Sequence, residues 1–381
     1  MNHNPDLPAT ASRFMPVVSK LCAVPLIAAS LLLSPACGGN STPGGGPPPP
    51  PPPPSYTTFD APGAGTTNGL GTTPLAINAG GDITGMFSDA SGLNHGFIRS
   101  ATGTITTFDD PSEGIGGALP VVAGINASGA IVGTFADPTN RAHGFLRSQS
   151  GVFTNFDPPT GVDTVATGIN DAGASTGTFV DTVSAQHAFL RAADGTFIAF
   201  DPPVTGIAIF ALFFRVNASG TVAGFFRGPT FSDHGLLRAT DGTLTVLDAP
   251  GAGTAANEGT DALAINASGA IVGRVSAGGI THSFLRAPDG TYTIFDPPGT
   301  GVTDTGAVAI NDSGAIVGSY NDSTGGHGYL RNPDGTFATL TVPPSAVNTG
   351  AFTFATAINA SGAITGYFTD STGATHGFVR K

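Results

Sequence analysis

The sequence predicts an all-β fold built from seven copies of one short unit, and three observations support this. An Asn-x-x-Gly signature recurs seven times at intervals of 44 to 49 residues, close to the length of about 40 to 50 residues typical of four-stranded repeats. A His follows each of these Asn residues by 16 or 17 positions. No segment has the 3.6-residue hydrophobic period of a helix. The repeated Asn residues are Asn78, Asn126, Asn170, Asn217, Asn266, Asn311 and Asn359.

Each unit contains signals for four strands, A to D. Strand A is the apolar run that ends at the Asn, and Asn-Ala-Ser-Gly is a tight turn because Asn and Gly tolerate positive φ. Strand B is an apolar run such as Ala130-Ile131-Val132-Gly133. Strand C opens at the His, as in His143-Gly144-Phe145-Leu146-Arg147. A turn such as Asp241-Gly242-Thr243 then leads into strand D, which ends in Phe-Asp-Pro-Pro or a variant of it.

Four short strands at this period are typical of a β-propeller blade. The repeat region opens at 56–60 with a strand D alone and finishes at 376–380 with a strand C that has no strand D after it. The two partial units complete each other. We therefore predict one domain over 56–381, a seven-bladed β-propeller with four antiparallel strands per blade, whose ring is closed by pairing of 56–60 with 376–380.

The strand C segments carry a family resemblance. They read His-Gly-Phe or a variant in all seven units, and His187-Ala188-Phe189 has the tripeptide His-Ala-Phe itself. The unit resembles the HAF-family extracellular repeat, and the resemblance covers residues 56–381. It implies an exported bacterial β-propeller and adds little about chemistry.

Residues 1–36 predict an export signal. A polar start with Arg13 and Lys20 precedes an apolar core from Leu21 to Leu33, which is short for a bilayer span. The following Ser-Pro-Ala-Cys resembles the bacterial lipoprotein signal, which implies lipid attachment at Cys37. The bacterial lipoprotein signal prefers Leu at the position of Ser34 and a small residue at the position of Pro35. Because the match is imperfect, secretion with a free Cys37 remains the alternative.

Residues 37–55 form a Gly/Pro-rich tether. Its eight consecutive prolines, Pro47 to Pro54, favour a semi-rigid polyproline II spacer. The spacer would hold the repeat domain away from a membrane, and a Pro-rich ligand for another module is the alternative. The expected location is the outer membrane or cell surface of a bacterium, or its exterior after secretion.

The composition excludes some functions. The net charge is −12, and Lys20 and Lys381 are the only lysines, so the chain lacks the basic surface that nucleic-acid binding requires. Cys22 lies inside the signal, which leaves Cys37 unable to form an intrachain disulfide. We found no sequence motif for a metal, cofactor or phosphate, so we expect no cofactor and no metal, and we expect a monomer.

The seven repeated His residues suggest a structural tie. A constant spacing of 14 residues places most of them opposite the Asp that ends strand D, and a buried His–Asp hydrogen bond would satisfy both groups. A metal or catalytic ring is the alternative interpretation. In the sixth unit His327 faces Thr341. The predicted pairs are His95–Asp109, His143–Asp157, His187–Asp201, His234–Asp248, His282–Asp296 and, across the ring closure, His376–Asp60.

Residues that break the repeat are the candidates for ligand contact, because a functional site needs unlike groups in unlike environments. Glu113 and Glu258 are the only glutamates, and each lies alone between two units. Arg215 and Arg227 lie in the fourth unit near an aromatic cluster. The alternative for the two arginines is a tightly packed blade with solvent-facing arginines. We identified no catalytic residue.

The D–A connections carry most of the variation in length and emerge on the same face as the B–C connections, so we expect ligands to bind there. The sequence favours an exported, membrane-tethered binding or scaffold module for an extracellular protein or polysaccharide, without catalysis. The alternative is a carbohydrate-active enzyme or lectin-like propeller. The absence of Trp and the presence of only five Tyr argue against sugar-stacking platforms.

Overall fold

Short strands provide all the regular secondary structure of the residues that the computed structural model describes, namely 53–111, 121–203, 210–299, 301–342 and 352–381. The predicted signal, Cys37 and most of the tether lie outside these residues, as does Glu113. The prediction of an all-β fold is confirmed for the described part of the chain.

The strands follow the predicted A-to-D order in each unit. The strand β1 (Tyr56–Phe59) comes first in the chain. Unit 1 contains β2 (Gly71–Ile77), β3 (Ile83–Ser88), β4 (Asn94–Arg99) and β5 (Ile105–Phe108). Unit 2 contains β6 (Val121–Ile125), β7 (Ile131–Ala136), β8 (Ala142–Arg147) and β9 (Phe153–Phe156). Unit 3 contains β10 (Gly161–Ile169), β11 (Ser175–Asp181), β12 (Gln186–Arg191) and β13 (Phe197–Phe200).

The second half of the chain repeats this arrangement. Unit 4 contains β14 (Phe210–Val216), β15 (Val222–Arg227), β16 (Asp233–Arg238) and β17 (Leu244–Leu247). Unit 5 contains β18 (Gly259–Ile265), β19 (Ile271–Ala277), β20 (Ile280–Arg286) and β21 (Tyr292–Phe295). Unit 6 contains β22 (Asp304–Ile310), β23 (Ile316–Asp322), β24 (Gly325–Arg331) and β25 (Phe337–Leu340). Unit 7 contains β26 (Thr353–Ile358), β27 (Ile364–Thr369) and β28 (Thr375–Arg380), with β1 beside β28.

Within a unit, four neighbouring strands pair antiparallel. Single parallel pairs, β2–β28, β16–β18 and β20–β22, join unit 7 to unit 1 and units 4, 5 and 6 to one another in larger sheets. The fourth strand of unit 7 comes from the other end of the repeat region. Tyr56 lies opposite Arg380 and Phe59 opposite Gly377, so β1 pairs with the strand that sequence analysis assigned to it.

The first strands of the units lie next to one another, and we name the edge of the sheets that they form the inner edge. Each first strand contacts the first strand of the next unit, from β2 through β6, β10, β14, β18 and β22 to β26, and β26 contacts β2. Close packing beside these strands depends on a glycine in strand B. A Cβ at Gly177 would lie 2.0 Å from the Val165 carbonyl oxygen, so no larger residue fits without moving the first strand.

The repeated Asn residues connect neighbouring units. The Asn78 side chain accepts a hydrogen bond from the Asp82 N–H inside its own turn, and its Nδ2 donates to the Asn126 carbonyl of the next unit at 3.2 Å. The same donation recurs at Asn126, Asn170, Asn217, Asn266 and Asn311. Asn359 donates to the Asn78 carbonyl at 3.0 Å, so the series returns to its first member.

The Arg that ends strand C also reaches the preceding unit. The Arg147 guanidinium lies 4.8 Å from the ring centre of Phe108, which ends strand D of unit 1. Such cation–π contacts add to packing because the ring face is electron-rich. Equivalent contacts join Arg191 to Phe156, Arg238 to Phe200, Arg331 to Phe295 and, between units 1 and 7, Arg99 to Phe59.

Candidate ligand-binding face

The repeated His side chains hydrogen-bond to the Asp residues that end strand D. His143 Nδ1 lies 2.7 Å from Asp157, and His376 Nδ1 lies 2.9 Å from Asp60, although 316 residues separate the latter two. The other four predicted pairs, His95–Asp109, His187–Asp201, His234–Asp248 and His282–Asp296, have distances of 2.7 to 2.8 Å. The structure therefore brings all six pairs together.

A second carboxylate, which sequence analysis missed, approaches four of these rings. Asp137 begins the B–C connection of unit 2, and its carboxylate lies 3.5 Å from His143 Nε2. Units 1, 3 and 7 have the same arrangement, with Asp89 near His95, Asp181 near His187 and Asp370 near His376 at 3.3 to 3.6 Å. The available signal was an Asp exactly six residues before each of these histidines.

The second carboxylate changes the protonation of these four histidines. Partial burial works against a charged ring, but hydrogen bonds to the two Asp residues and their charges outweigh it, so the pKa of His143 is raised. The pKa values of His95, His187 and His376 are raised in the same way. The backbone N–H of Arg141, the hydroxyl of Thr139 and His143 itself lower the pKa of Asp137 to about 2.

Units 4 and 5 depart from this pattern. Gly228 and Ser276 occupy the position six residues before His234 and His282. In unit 6, where Thr341 stands in place of the Asp, His327 Nε2 lies 3.2 Å from Asp322 and 2.9 Å from the Thr324 hydroxyl. The repeated acidic residue of the B–C connection is thus replaced in two adjacent units.

Two arginines lie where that acidic residue is missing. Arg227 ends strand B of unit 4 and forms a two-point ion pair with Asp233, through Nε at 2.7 Å and Nη2 at 2.9 Å. Arg274 lies on strand B of unit 5, and its Nε donates to Asp261 at 2.6 Å. We name Arg227, Asp233, Asp261 and Arg274 the arginine pairs. Sequence analysis singled out Arg227 but missed the other three residues.

The two pairs differ in exposure and influence each other. Both carboxylates are buried, with 8% of each side chain exposed, whereas 43% of the Arg274 side chain is exposed. Burial raises the pKa of Asp261, although the positive charge of Arg274 opposes this. The hydrogen bond that Arg227 donates to Asp233 raises the pKa of Arg227, and the Asp261 charge adds to the effect. The Arg274 side chain is thus the most exposed member of the arginine pairs.

Apolar residues project on or directly beside the neighbouring B–C connections. Phe231 in unit 4 is 52% exposed, and Ile280 in unit 5 is 50% exposed. Phe231 has φ of 62°, a left-handed conformation that is costly for a bulky residue. Its carbonyl accepts a hydrogen bond from the Asn257 N–H at 2.8 Å, so the D–A connection into unit 5 lies beside this B–C connection. Leu93 and Val183 are exposed on the B–C connections of units 1 and 3.

Glu258 belongs to the same region. Its backbone carbonyl accepts a hydrogen bond from the Asp233 N–H at 2.7 Å, and its Oε1 accepts one from the Gly278 N–H at 2.7 Å. The carboxylate therefore supports the B–C connection of unit 5 beside the arginine pairs. Glu113 lies outside the described residues.

Arg215 is placed differently from Arg227. It lies on the first strand of unit 4, and its guanidinium is 4.3 Å from the Phe213 ring centre. Its Nη1 donates to the Ala123 carbonyl of unit 2 at 3.2 Å. Arg215 is therefore a partly buried side chain that lies along the first strands and reaches unit 2.

Neither a metal site nor a membrane-spanning helix stands out in the described residues. No group of three or more His, Cys, Asp or Glu side chains there has an arrangement that could hold a metal ion. In the same part of the chain, no helix combines the length and apolar character of a membrane span.

Structural comparison identifies the fold. The β-propeller domain of the Trilobed protease from Pyrococcus furiosus, described as having an open velcro topology, matches with a TM-score of 0.57 at 8% identity, over 83% of this chain and 97% of that chain. The chain has a β-propeller fold. TolB from Acinetobacter baumannii matches with a TM-score of 0.42 at 14% identity over 82% and 65% of the two chains. The fucose-specific lectin from Aleuria aurantia matches with a TM-score of 0.40 at 12% identity over 75% and 100%.

Comparison of the sequence with known families and proteins assigns the chain to no family. No protein-family model matches the chain, and the search of curated proteins found no match. At these identities the propeller similarity concerns the fold alone.

Proposed function

We propose that the seven units are the blades of one closed seven-bladed propeller. Four kinds of contact between the two ends of the repeat region support this: β1 pairs with β28, Asn359 donates to the Asn78 carbonyl, Asp60 bonds to His376, and Arg99 stacks on Phe59. A closed ring brings all B–C and D–A connections to one face.

On that framework we infer that the protein is an exported, membrane-tethered binding module whose ligand contacts the face at units 4 and 5. The observation that carries this inference is that units 4 and 5 lack the repeated acidic residue and contain the arginine pairs nearby. The B–C connections of units 1, 2, 3, 6 and 7 begin with Asp, in a chain of net charge −12. An anionic partner is repelled by most of this face and attracted to the partly exposed side chain of Arg274.

The apolar residues beside the arginine pairs add a second type of contact. Exposed Phe and Arg side chains are enriched among the residues that dominate protein interfaces. Phe231 and Ile280 project from the same two units as Arg227 and Arg274. A partner with carboxylate groups next to apolar surface matches both features.

Binding of defined anionic polymers tests this function. We expect the full chain to bind polyglutamate or polygalacturonate, and to bind neutral dextran much less. Arg274→Ser, which introduces the small polar residue that unit 6 has as Ser319, should weaken binding roughly tenfold, since one charge-assisted contact contributes about 1.5 kcal/mol. Binding should also weaken with added salt.

Arg141→Ala is the matched control, because Arg141 is an exposed arginine on the B–C connection of unit 2. This variant should keep its affinity. Equal binding by the wild type and Arg274→Ser would contradict the proposed site. Shortening of the polygalacturonate chains would support the carbohydrate-active alternative instead.

The tether is a separate part of the proposal. It rests on the apolar segment before Cys37 and the polyproline run. We expect Cys37→Ser to move the protein from the membrane fraction to the soluble extracellular fraction in bacterial cells and to abolish labelling by a radioactive fatty acid. Membrane retention without label in both proteins would contradict lipid attachment.

A further inference from the structure

Arg215 occupies a position that is otherwise reserved for very small residues. It lies two residues before the repeated Asn of its unit. Six units have Ala or Gly there, and unit 4 alone has a large, charged side chain. The equivalent residues are Ala76, Gly124, Gly168, Ala264, Ala309 and Ala357.

Neighbouring units hold the Arg215 side chain in place. It passes over Gly168 of unit 3, where an added Cβ would lie 3.2 Å from Arg215 Cδ. It ends at unit 2, where Nη1 donates to the Ala123 carbonyl. The two units that Arg215 crosses are the two that have Gly where the remaining units have Ala. The arginine and the space for it therefore occur together.

The guanidinium has no partner of opposite charge in the described part of the chain. Arg227 and Arg274 each form an ion pair there, whereas Arg215 forms none. Surrounding protein lowers the pKa of Arg215 to about 10, which still leaves it charged at neutral pH. The Arg215 side chain is partly buried, and a positive charge without a counter-charge attracts anions to this position.

We propose that Arg215 binds a small oxyanion, a carboxylate or phosphate group, at the inner edge of the first strands. Nη1 is occupied by the Ala123 carbonyl, which leaves the edge formed by Nε and Nη2 to donate two parallel hydrogen bonds, the geometry that carboxylate and phosphate oxygens accept best. Units 1, 5, 6 and 7 have only a small Ala side chain at this level. This site is independent of the proposed ligand face.

Anion-dependent stability tests the proposal. The full chain would be unfolded by heat in increasing sodium phosphate or sodium acetate, at constant ionic strength set by sodium chloride. A ligand that binds only the folded state stabilises it in proportion to the logarithm of its concentration. We expect the wild-type Tm to rise by about 2 to 4 °C at saturating anion.

Two variants decide the outcome. Arg215→Ala, which restores the residue of units 1, 5, 6 and 7, should lose the anion-dependent rise, and Arg141→Ala, with the same loss of charge, should keep it. An equal rise in the Tm of Arg215→Ala would overturn the proposal, because it would show that the rise is a general salt effect. A wild type without any rise would overturn it too and would leave Arg215 as a brace between units 2 and 4.

If Arg215→Ala fails to fold, direct titration of phosphate into the wild type by calorimetry gives the answer. One binding event per chain supports the site, and no heat of binding overturns it. Because the ligand-face assay uses Arg274→Ser, failure of this proposal and failure of the proposed function are distinguishable.

Discussion

At the residue scale, each repeated His is held by one or two carboxylates. In units 1, 2, 3 and 7 the ring lies between an Asp from the end of strand D and an Asp from the B–C connection. Stacking on an aromatic residue of strand B holds the same rings, as between Phe135 and His143 at 5.3 Å. Their recurrence indicates a role in stability, since function needs groups that differ between units.

The first prediction concerns protonation of His143. In the wild type its pKa, measured by NMR titration of the ring, should lie above 6.5. Asp137→Asn should lower this pKa, because the Asn oxygen can still accept the backbone hydrogen bonds of the connection but carries no charge. Asp181→Asn is the control and should leave the pKa of His143 unchanged, since Asp181 contacts His187.

The same shift predicts a pH dependence of stability. A pKa raised in the folded state means that the contribution of His143 is fully present below pH 6.5 and is lost as the pH rises through the folded pKa. The difference in free energy of unfolding between wild type and Asp137→Asn should therefore shrink from pH 6 to pH 8. A difference that grows over this range would contradict the raised pKa.

At the element scale, the A–B turn both closes a hairpin and connects two sheets. Asn311 accepts hydrogen bonds from the Ala315 N–H and the Ser313 hydroxyl, and donates to the Asn359 carbonyl. The local bonds agree with the turn that the Asn-x-x-Gly pattern predicted. The donation to the next unit was missed, because a turn signature contains no information about its neighbour.

The second prediction concerns this turn. Asn311→Ala should reduce the free energy of unfolding by about 1 to 3 kcal/mol, because it leaves buried backbone groups without their partners. Urea denaturation measures the loss. Ser313→Ala removes only the hydroxyl that bonds to Asn311 and should cost less than 1 kcal/mol or so. Equal effects of the two substitutions would show that the contact between units adds nothing.

At the scale of the whole molecule, β1 joins the beginning of the repeat region to its end. Tyr56 packs on Phe378, and Phe59 packs on Phe97 of unit 1. Sequence analysis identified this pairing, because a lone strand D at one end and a missing strand D at the other leave one arrangement that completes all units. The apolar contacts of β1 with two units explain why a strand of four residues holds its place.

The third prediction concerns that strand. Removing 53–60 from the full chain should lower Tm by several degrees, since it exposes the edge of β28 and removes the contacts to Phe97 and Arg99. A synthetic peptide of residues 53–62 should restore part of the loss. The same peptide with Phe59→Ala should restore less. An unchanged Tm after the deletion would contradict closure by this strand.

The sequence by itself determined the strand order, the four-stranded unit and the His–Asp pairs, because these depend on spacing within one unit and the repeat displays that spacing seven times. The tertiary structure alone decided which groups meet between units. The separation in sequence between Arg215 and Ala123, or between Asn359 and Asn78, does not predict that these residues meet. Their contact depends on how the sheets pack beside one another along the inner edge. The pairing of Arg227 with Asp233 and of Arg274 with Asp261 was missed for a related reason. Each pair occurs in one unit only, so no repeated spacing indicates it.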